Sequence, residues 1–283
     1  MIEPNLPQDA AAVALHYDEL DPIYRQLWGE HVHHGLWTTG RESPQQAVDA
    51  LADRVGTLLD LHAGLALVDI GCGYGATARR LALQHDVWVT GLTLSQAQID
   101  VAQATPNGKV TLLRRDWLDN EMPDASFDRA YSIESSEHMV DKPRFFREAH
   151  RVLRKDGKLV VCAWLAETGA SSWKVEHLLE PICREGRLPS MGTREEYEAM
   201  AGAAGFRVSA YEDVSLQVAR TWTICAKRLA FKVATNPAYV RLLASARTKN
   251  RIFAVTLPRL MLAYRTGAMR YGIFTFEREQ SIA

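Results

Sequence analysis

Eight consecutive residues constrain this chain more than any others: Val68-Asp69-Ile70-Gly71-Cys72-Gly73-Tyr74-Gly75, an apolar strand that carries an acid and then turns through three glycines at alternate positions. Glycine at the first two lets the backbone of the turn come close to a ligand. The third lets a following helix, predicted over 76–83, pack back on the strand. Such a turn belongs at the carboxyl end of a strand, the edge where open parallel sheets place their ligands. Gly71, Gly73 and Ala76 also satisfy the looser G-x-G-x-x-A dinucleotide pattern, so the turn alone leaves an NAD-dependent oxidoreductase open.

The next unit weighs against that option. Val87-Trp88-Val89-Thr90 reads as a β-branched strand, with Ser95 as the N-cap of a helix over 95–104. A dinucleotide site needs Asp or Glu near the end of this strand to hold the ribose hydroxyls, and Thr93 stands there instead. Further on, an apolar strand over 110–113 leads to Arg115-Asp116-Trp117. A fourth strand, Phe127-Asp128-Arg129-Ala130-Tyr131-Ser132-Ile133, runs into Glu134-Ser135-Ser136-Glu137-His138-Met139.

With these residues the chain resembles the class I S-adenosylmethionine-dependent methyltransferases, and within them the branch of the γ-tocopherol methyltransferases and the enzymes that methylate plant alkaloid nitrogens. The resemblance extends over nearly the whole chain, through His31-Val32-His33-His34-Gly35-Leu36-Trp37, 93–98, 134–141, Cys162-Ala163-Trp164 and 261–275. The sheet motifs are specific for the superfamily and the flanking ones less so for the branch.

The expected fold is α/β: a Rossmann-like, seven-stranded, mostly parallel sheet with helices on both faces, an N-terminal helical segment and a helical cap inserted before the last strand. The division of the chain follows: 1–60 an N-terminal helical lid, 61–165 the cofactor-binding core, 166–192 an irregular cap segment, 193–215 a continuation of the core, 216–268 the helical cap insertion, and 269–283 the last strand and tail. Thr193 and Glu196 form a capping box for the helix that ends at Gly205, and breaks are expected at Asn236-Pro237 and Leu257-Pro258.

Methyl transfer from a sulfonium is an in-line displacement, which asks the protein to align the acceptor and exclude water. S-adenosylmethionine is the expected cofactor, and no metal is expected. Asp69 is assigned to its ammonium, and the amides of the turn at Gly71 and Gly73 to its carboxylate. The resemblance implies that Thr93, Leu94 and Gln98 replace the ribose-binding acid, that Asp116 and Trp117 hold adenine, and that Ile133 lies beneath the sulfonium. It also implies a flap over the methionine group from His34 and Gly35, with Tyr17 nearby. Glu137 and His138 follow the strand that faces the acceptor. They are read either as the catalytic general base or as positioning groups at a helix start.

Composition fixes the remaining expectations. Four cysteines, Cys72, Cys162, Cys183 and Cys225, make no C-x-x-C pair, and no secretory signal or apolar spanning run appears, so a cytoplasmic setting is expected. A formal charge of −1 argues against nucleic-acid binding. The charge is unevenly placed: residues 214–276 hold eleven of the 33 Lys and Arg and none of the 34 Asp and Glu. A solvated helical face, contact with a membrane surface and an anionic substrate each account for such a segment. The oligomeric state is not readable.

The expected acceptor is a small apolar molecule, with a prenylated phenol or quinol methylated on ring carbon favoured and Trp164, Trp173, Trp222, Phe231 and Phe253 offered by the cap. An indole or alkaloid nitrogen and an isoprenoid diphosphate, the latter with Mg²⁺, are the alternatives.

Overall fold

The computed structural model describes residues 1–6, 8–27, 29, 31–105, 107–237 and 251–279. Seven strands form one sheet: β1 (Ala66–Ile70), β2 (Trp88–Thr93), β3 (Val110–Arg114), β4 (Phe127–Ile133), β5 (Leu153–Ala166), β6 (Phe206–Asp213) and β7 (Met269–Arg278), in the order β3-β2-β1-β4-β5-β7-β6. The first five are mutually parallel, and β7 runs antiparallel to β5 and β6. The chain leaves β1 toward β2 on one side and returns to β4 on the other. That reversal opens a crevice at the carboxyl ends of β1 and β4, where ligands of such sheets bind.

Alternation along the strands divides the core in two. Leu67 and Tyr131 point into one cluster with Leu51 and Val55, and Val68 and Ile70 into the other with Phe145 and Phe146. The first face is covered by α2 (Pro44–Leu58) and α3 (Ala76–His85), the second by α5 (Lys142–Val152) and α8 (Arg194–Ala203), each presenting a buried stripe. Both Phe145 and Phe146 are fully buried, so truncating either to Ala costs about 3–5 kcal/mol. Ahead of the sheet, α1 (Ala10–Leu27) packs on α4 (Gln96–Gln103) beside the crevice.

The expected caps at Ser95 and Thr193 are present, the latter with the reciprocal Glu196 bond. Two expectations are corrected. The segment after β5 is helical, not irregular: α6 (Ser172–Lys174), a π turn (Val175–Leu179) and α7 (Glu180–Glu185) follow one another. Pro181 has no N–H to give the His177 carbonyl, which instead accepts from Arg259 Nε at 3.2 Å. Arg259 also pairs with Glu185, so a cation of the basic insert stitches this segment down.

The insert itself comprises α9 (Ser215–Val218), α10 (Arg220–Thr235) and α11 (Arg251–Thr266). Asn236 is extended and ends α10, as expected before Pro237. At Pro258 there is no break, and α11 runs through it. Helix α11 packs on both α10 and α7, which makes the two parts of the cap one layer over the sheet edge.

Candidate active site

The glycine bend is held by its neighbours before any ligand arrives. Gly71 has φ +82°, and a Cβ there would lie 2.2 Å from the Ser135 Cβ, so the loop after β4 sits directly on the bend. The amides of Gly71 and Cys72 both donate to the Leu92 carbonyl at 2.9 Å. Those two are committed to β2, which corrects the expectation that the start of the turn supplies amides to a carboxylate. Gly73, at φ +54°, is different: a Cβ would meet nothing nearer than Gln98 Nε2 at 4.0 Å, so hydrogen there keeps the crevice open.

Asp69 is 3% exposed, and Tyr131 donates to it at 2.8 Å. Burial pushes its carboxyl up to about 7, more than that one bond pulls it down. A buried acid so thinly supplied with donors fits a ligand cation. It borders a small hollow with His31, His33 and Thr77. His33 Nδ1 donates to the His34 carbonyl at 2.8 Å, leaving Nε2 to accept from His31 at 3.1 Å. Desolvation lowers both rings, His31 to about 3, so the pair is neutral near pH 7.

The hollow adjoins a cleft that brings together Tyr17, Gly71, Gly73, Thr93, Leu94, Gln98, Asp116, Trp117, Ile133 and His138. Thr93 Oγ1 donates to Gln98 Oε1 at 2.6 Å, which turns the amide nitrogen of Gln98 toward the bend. Asp116 spends one oxygen on the Leu118 amide at 2.8 Å. Trp117 is 2% exposed and its Nε1 donates to the Phe145 carbonyl at 3.2 Å, so the indole is a core residue that also lines the cleft. Tyr17 donates to His138 Nε2 at 2.9 Å, and His138 Nδ1 donates to the Arg187 carbonyl at 3.4 Å. Burial lowers His138 to about 4, which makes it a neutral acceptor for Tyr17 and a weak base.

Four assigned residues lie outside this lining: Asp69, which borders the adjoining hollow, and Glu137, His34 and Gly35. Glu137 is 1% exposed, and its carboxylate accepts from the Trp164 amide and from Ser136 Oγ, tying the loop after β4 to β5. Burial raises it to about 7, but it is turned away from the cleft, which corrects its placement as the base facing the acceptor. His34 and Gly35 are also set back: the Gly35 amide donates to Thr221 Oγ1 at 3.0 Å, and a Cβ there would lie 2.6 Å from that of Ala47. Val32, two residues before His34, lines the cleft in their place.

Sequence reasoning passed over Glu134. It lines the cleft at the end of β4 with φ +53°, a conformation that costs a non-glycine residue about 1–2 kcal/mol. One carboxylate oxygen accepts from the His34 amide at 2.7 Å and the Tyr271 hydroxyl at 2.9 Å. The other accepts from His34 Nδ1 and Trp164 Nε1, both at 2.9 Å. Burial alone would raise its pKa, yet His34 and these donors bring it down to about 2. Its sequence signal is an acid at a strand end followed within four residues by a second acid and a histidine, and only the latter pair was read.

Around His34 stand Trp222, Tyr271, Trp164 and Tyr264, with ring centroids 4.9, 5.2, 5.5 and 5.8 Å away. Of the other cap aromatics, Trp173 and Phe231 are exposed at 52% and 66%, and the Phe253 side chain lies outside the described residues. Among the described residues no group of three or more His, Cys, Asp or Glu is arranged to hold a metal ion. Among them also, no helix is long and apolar enough to cross a membrane.

A buried acid and glycine bend on β1, a hydroxyl–amide pair after β2 and an antiparallel seventh strand define a class I S-adenosylmethionine-dependent methyltransferase. The chain belongs to the mycolic acid cyclopropane synthetase family, whose model matches residues 5–251. It is similar to 27-O-demethylrifamycin SV methyltransferase from Amycolatopsis mediterranei, 34% identical over 218 residues, covering 75% of this chain and 79% of that one. The chloroplastic tocopherol O-methyltransferase of Arabidopsis thaliana is 27% identical over 290 residues, covering 94% and 81%. Among solved structures, the mycolic acid cyclopropane synthase CmaA1 complexed with SAH and CTAB superposes with a TM-score of 0.84 at 25% identity, covering 96% and 99%. The [4+2]-cyclase SpnF gives 0.80 at 27%, covering 98% of each chain. S-adenosylmethionine is accordingly the cofactor, and the cleft residues above fit its charged and hydrogen-bonding parts.

Proposed function

We propose that this methyltransferase acts on a hydroxyl of an apolar natural product. The observation that carries the reading is the aromatic cluster at the ends of β4, β5 and β7: Trp164, Trp222, Tyr264 and Tyr271 pack round the Glu134–His34 pair behind the cleft that Glu134 itself lines, so this end of the cleft is backed by apolar rings and carries one fixed carboxylate. The rifamycin and tocopherol relatives, named for methylation at oxygen, and O-methyltransferase rstn1 from Aspergillus nomiae, 29% identical over 217 residues, support oxygen as the atom methylated. A phenol methylated on ring carbon shares the first step, loss of the hydroxyl proton, and product analysis separates the two.

In this reading Asp69, Gly73, Thr93, Gln98, Asp116 and Trp117 hold the cofactor, Ile133 and Tyr17 border its reacting end, and α1 with the cap helices excludes water. An isoprenoid diphosphate is less well served: Arg220 donates to the Gly40 carbonyl, Arg259 pairs with Glu185, and Arg270 lies 3.8 Å from Asp213. Exposed Leu216 and Phe231 on the basic insert favour an additional contact with a lipid surface, from which an apolar acceptor would be drawn.

The purified chain is incubated with methyl-labelled S-adenosylmethionine and a panel of apolar phenols, hydroxylated macrolactones, indoles and geranyl diphosphate, the last with and without Mg²⁺. Methyl ethers are expected. Exclusive N-methylation, or turnover of the diphosphate alone, contradicts the reading.

A further inference from the structure

S-adenosylmethionine carries two positive charges, an ammonium at its amino-acid end and the sulfonium at its reacting centre. Two buried acids border the space described above: Asp69 on β1 in the hollow, and Glu134 at the end of β4 in the wall of the cleft. Their surroundings suit them differently. Asp69 has one donor, Tyr131, and burial raises its carboxyl to about 7. Glu134 has the His34 amide, the His34 ring, the Trp164 indole and the Tyr271 hydroxyl, two donors on each oxygen, and is held charged at about 2 in spite of its burial.

His34, Trp164 and Tyr271 do not line the cleft themselves, so they grip this carboxylate from behind. Among the described residues no Lys or Arg pairs with it. An amide, an indole and a phenol stabilise a carboxylate without cancelling its field, and a buried anion so placed is compensated by a cation brought to it. Away from bulk water that field reaches across a cleft. Ile133, which precedes Glu134 on β4, and Gly71, which sits against Ser135, line the same space. The carboxylate therefore stands where β1 and β4 meet, beside the residues that border the reacting end of the cofactor in the reading above. The strained Glu134 backbone, with φ +53°, is the local cost of that placement.

We infer that Glu134 is the residue by which the site tells the methyl donor from its product, its fixed negative charge favouring the sulfonium over the uncharged thioether left after transfer. The inference rests on the methyltransferase reading of the cleft. In the transfer the carbon–sulfur bond breaks with its electron pair left on sulfur, the methyl carbon bonds to the acceptor, and the acceptor proton passes to solvent. The attraction at Glu134 ends with that step. The one at Asp69 persists, because donor and product share the ammonium. The two acids thus divide the work: Asp69 recognises the amino-acid end of either molecule, and Glu134 responds to the charge on sulfur. An attraction felt by the bound donor that fades as charge leaves sulfur contributes to donor binding and product release, and not to the rate of transfer itself.

The test needs no acceptor. S-adenosylmethionine, S-adenosylhomocysteine and sinefungin, which bears an ammonium in place of the sulfonium, are each titrated calorimetrically into the full-length protein. The wild type is expected to bind the two charged ligands about tenfold or more tightly than the thioether. Glu134→Gln, which keeps the shape and removes the charge, is expected to bring the three affinities within about twofold of one another, through loss at the charged pair alone. Asp69→Asn is expected to weaken all three alike. Wild-type affinities that are equal, or that favour the thioether, overturn the proposal; a protonated His34 cancelling the carboxylate would give that result, and reading it requires no variant to fold. A Glu134→Gln protein that loses affinity for all three ligands equally also overturns it, reducing the residue to a support of the fold. Binding of none of the three by the wild type would sink the methyltransferase reading instead, so the two failures are distinguishable.

Discussion

Tyr131 on β4 donates its hydroxyl to the Asp69 carboxylate on the adjacent strand β1 at 2.8 Å, and the two residues are direct partners in the sheet register. The bond braces the acid at the sheet edge proposed to take the cofactor ammonium, yet burial still raises the carboxyl from 3.8 to about 7. Between those values the folded protein holds a proton that the unfolded chain has released. Stability of the empty protein therefore falls as pH rises from about 4 to 7, by an amount on the order of a few kcal/mol. Asp69→Asn should remove that slope and raise the melting temperature of the empty protein at pH 8. Parallel melting curves of the two proteins from pH 5 to 8, with no difference in slope, would refute it.

Glu134 has the opposite sign. Its folded pKa of about 2 lies below the ordinary 4.5, so its contribution is complete above about pH 4.5 and is lost as pH falls toward 2. The amount is roughly 3 kcal/mol. Glu134→Ala strands four donors and should cost about 3–5 kcal/mol at neutral pH. In urea titrations its penalty relative to wild type should shrink below pH 4; a pH-independent penalty would show that the carboxylate charge is immaterial.

Gly71 and Gly73, the first two of the three glycines of the bend, separate stability from binding. Gly71→Ala drives a methyl into Ser135 and should destabilise the protein by more than 2 kcal/mol. Gly73→Ala meets open space and should cost only about 1 kcal/mol of backbone strain while lowering cofactor affinity. Circular-dichroism melts and calorimetry on both variants check the contrast, and equal losses of stability would contradict it.

Tyr17 and His138 act as one unit across the cleft. Tyr17→Phe and His138→Gln should each weaken cofactor binding by a few-fold, and the double variant by little more than either alone. A coupling of about 1 kcal/mol is expected for one such bond. Strict additivity in the double-mutant cycle would mean that the bond does not matter to the site.

The sheet was legible because the parallel strands carry short apolar runs, fully buried over most of β1, and each turn carries its own punctuation. The 68–75 run, Ser95 and Thr193 are local signals that packing had no reason to override. Tyr17, Thr93, Gln98, Asp116 and Trp117 converge on the cleft for the same reason: they lie at strand ends or on a helix beside them. What could not be read is orientation. Glu134 and Glu137 are three residues apart on one loop, and only the positive φ at Glu134 and the short helical turn after it decide which acid faces the cleft. The retreat of His34 likewise depends on partners 100 to 237 residues away, Glu134, Trp222, Tyr264 and Tyr271. No local pattern encodes such contacts. The helical course of 172–185 was obscured by Pro181, whose missing hydrogen bond is made good by the distant Arg259.

The most direct test of the account is a calorimetric titration of S-adenosylmethionine, and separately of NAD, into the full chain and its Asp69→Asn variant. Saturable one-to-one binding of S-adenosylmethionine, no binding of NAD, and a loss of affinity on the order of 30-fold in the variant are predicted, the last from removing one partner of a buried charge pair. Binding of NAD in preference to S-adenosylmethionine, or unchanged affinity in Asp69→Asn, would contradict it.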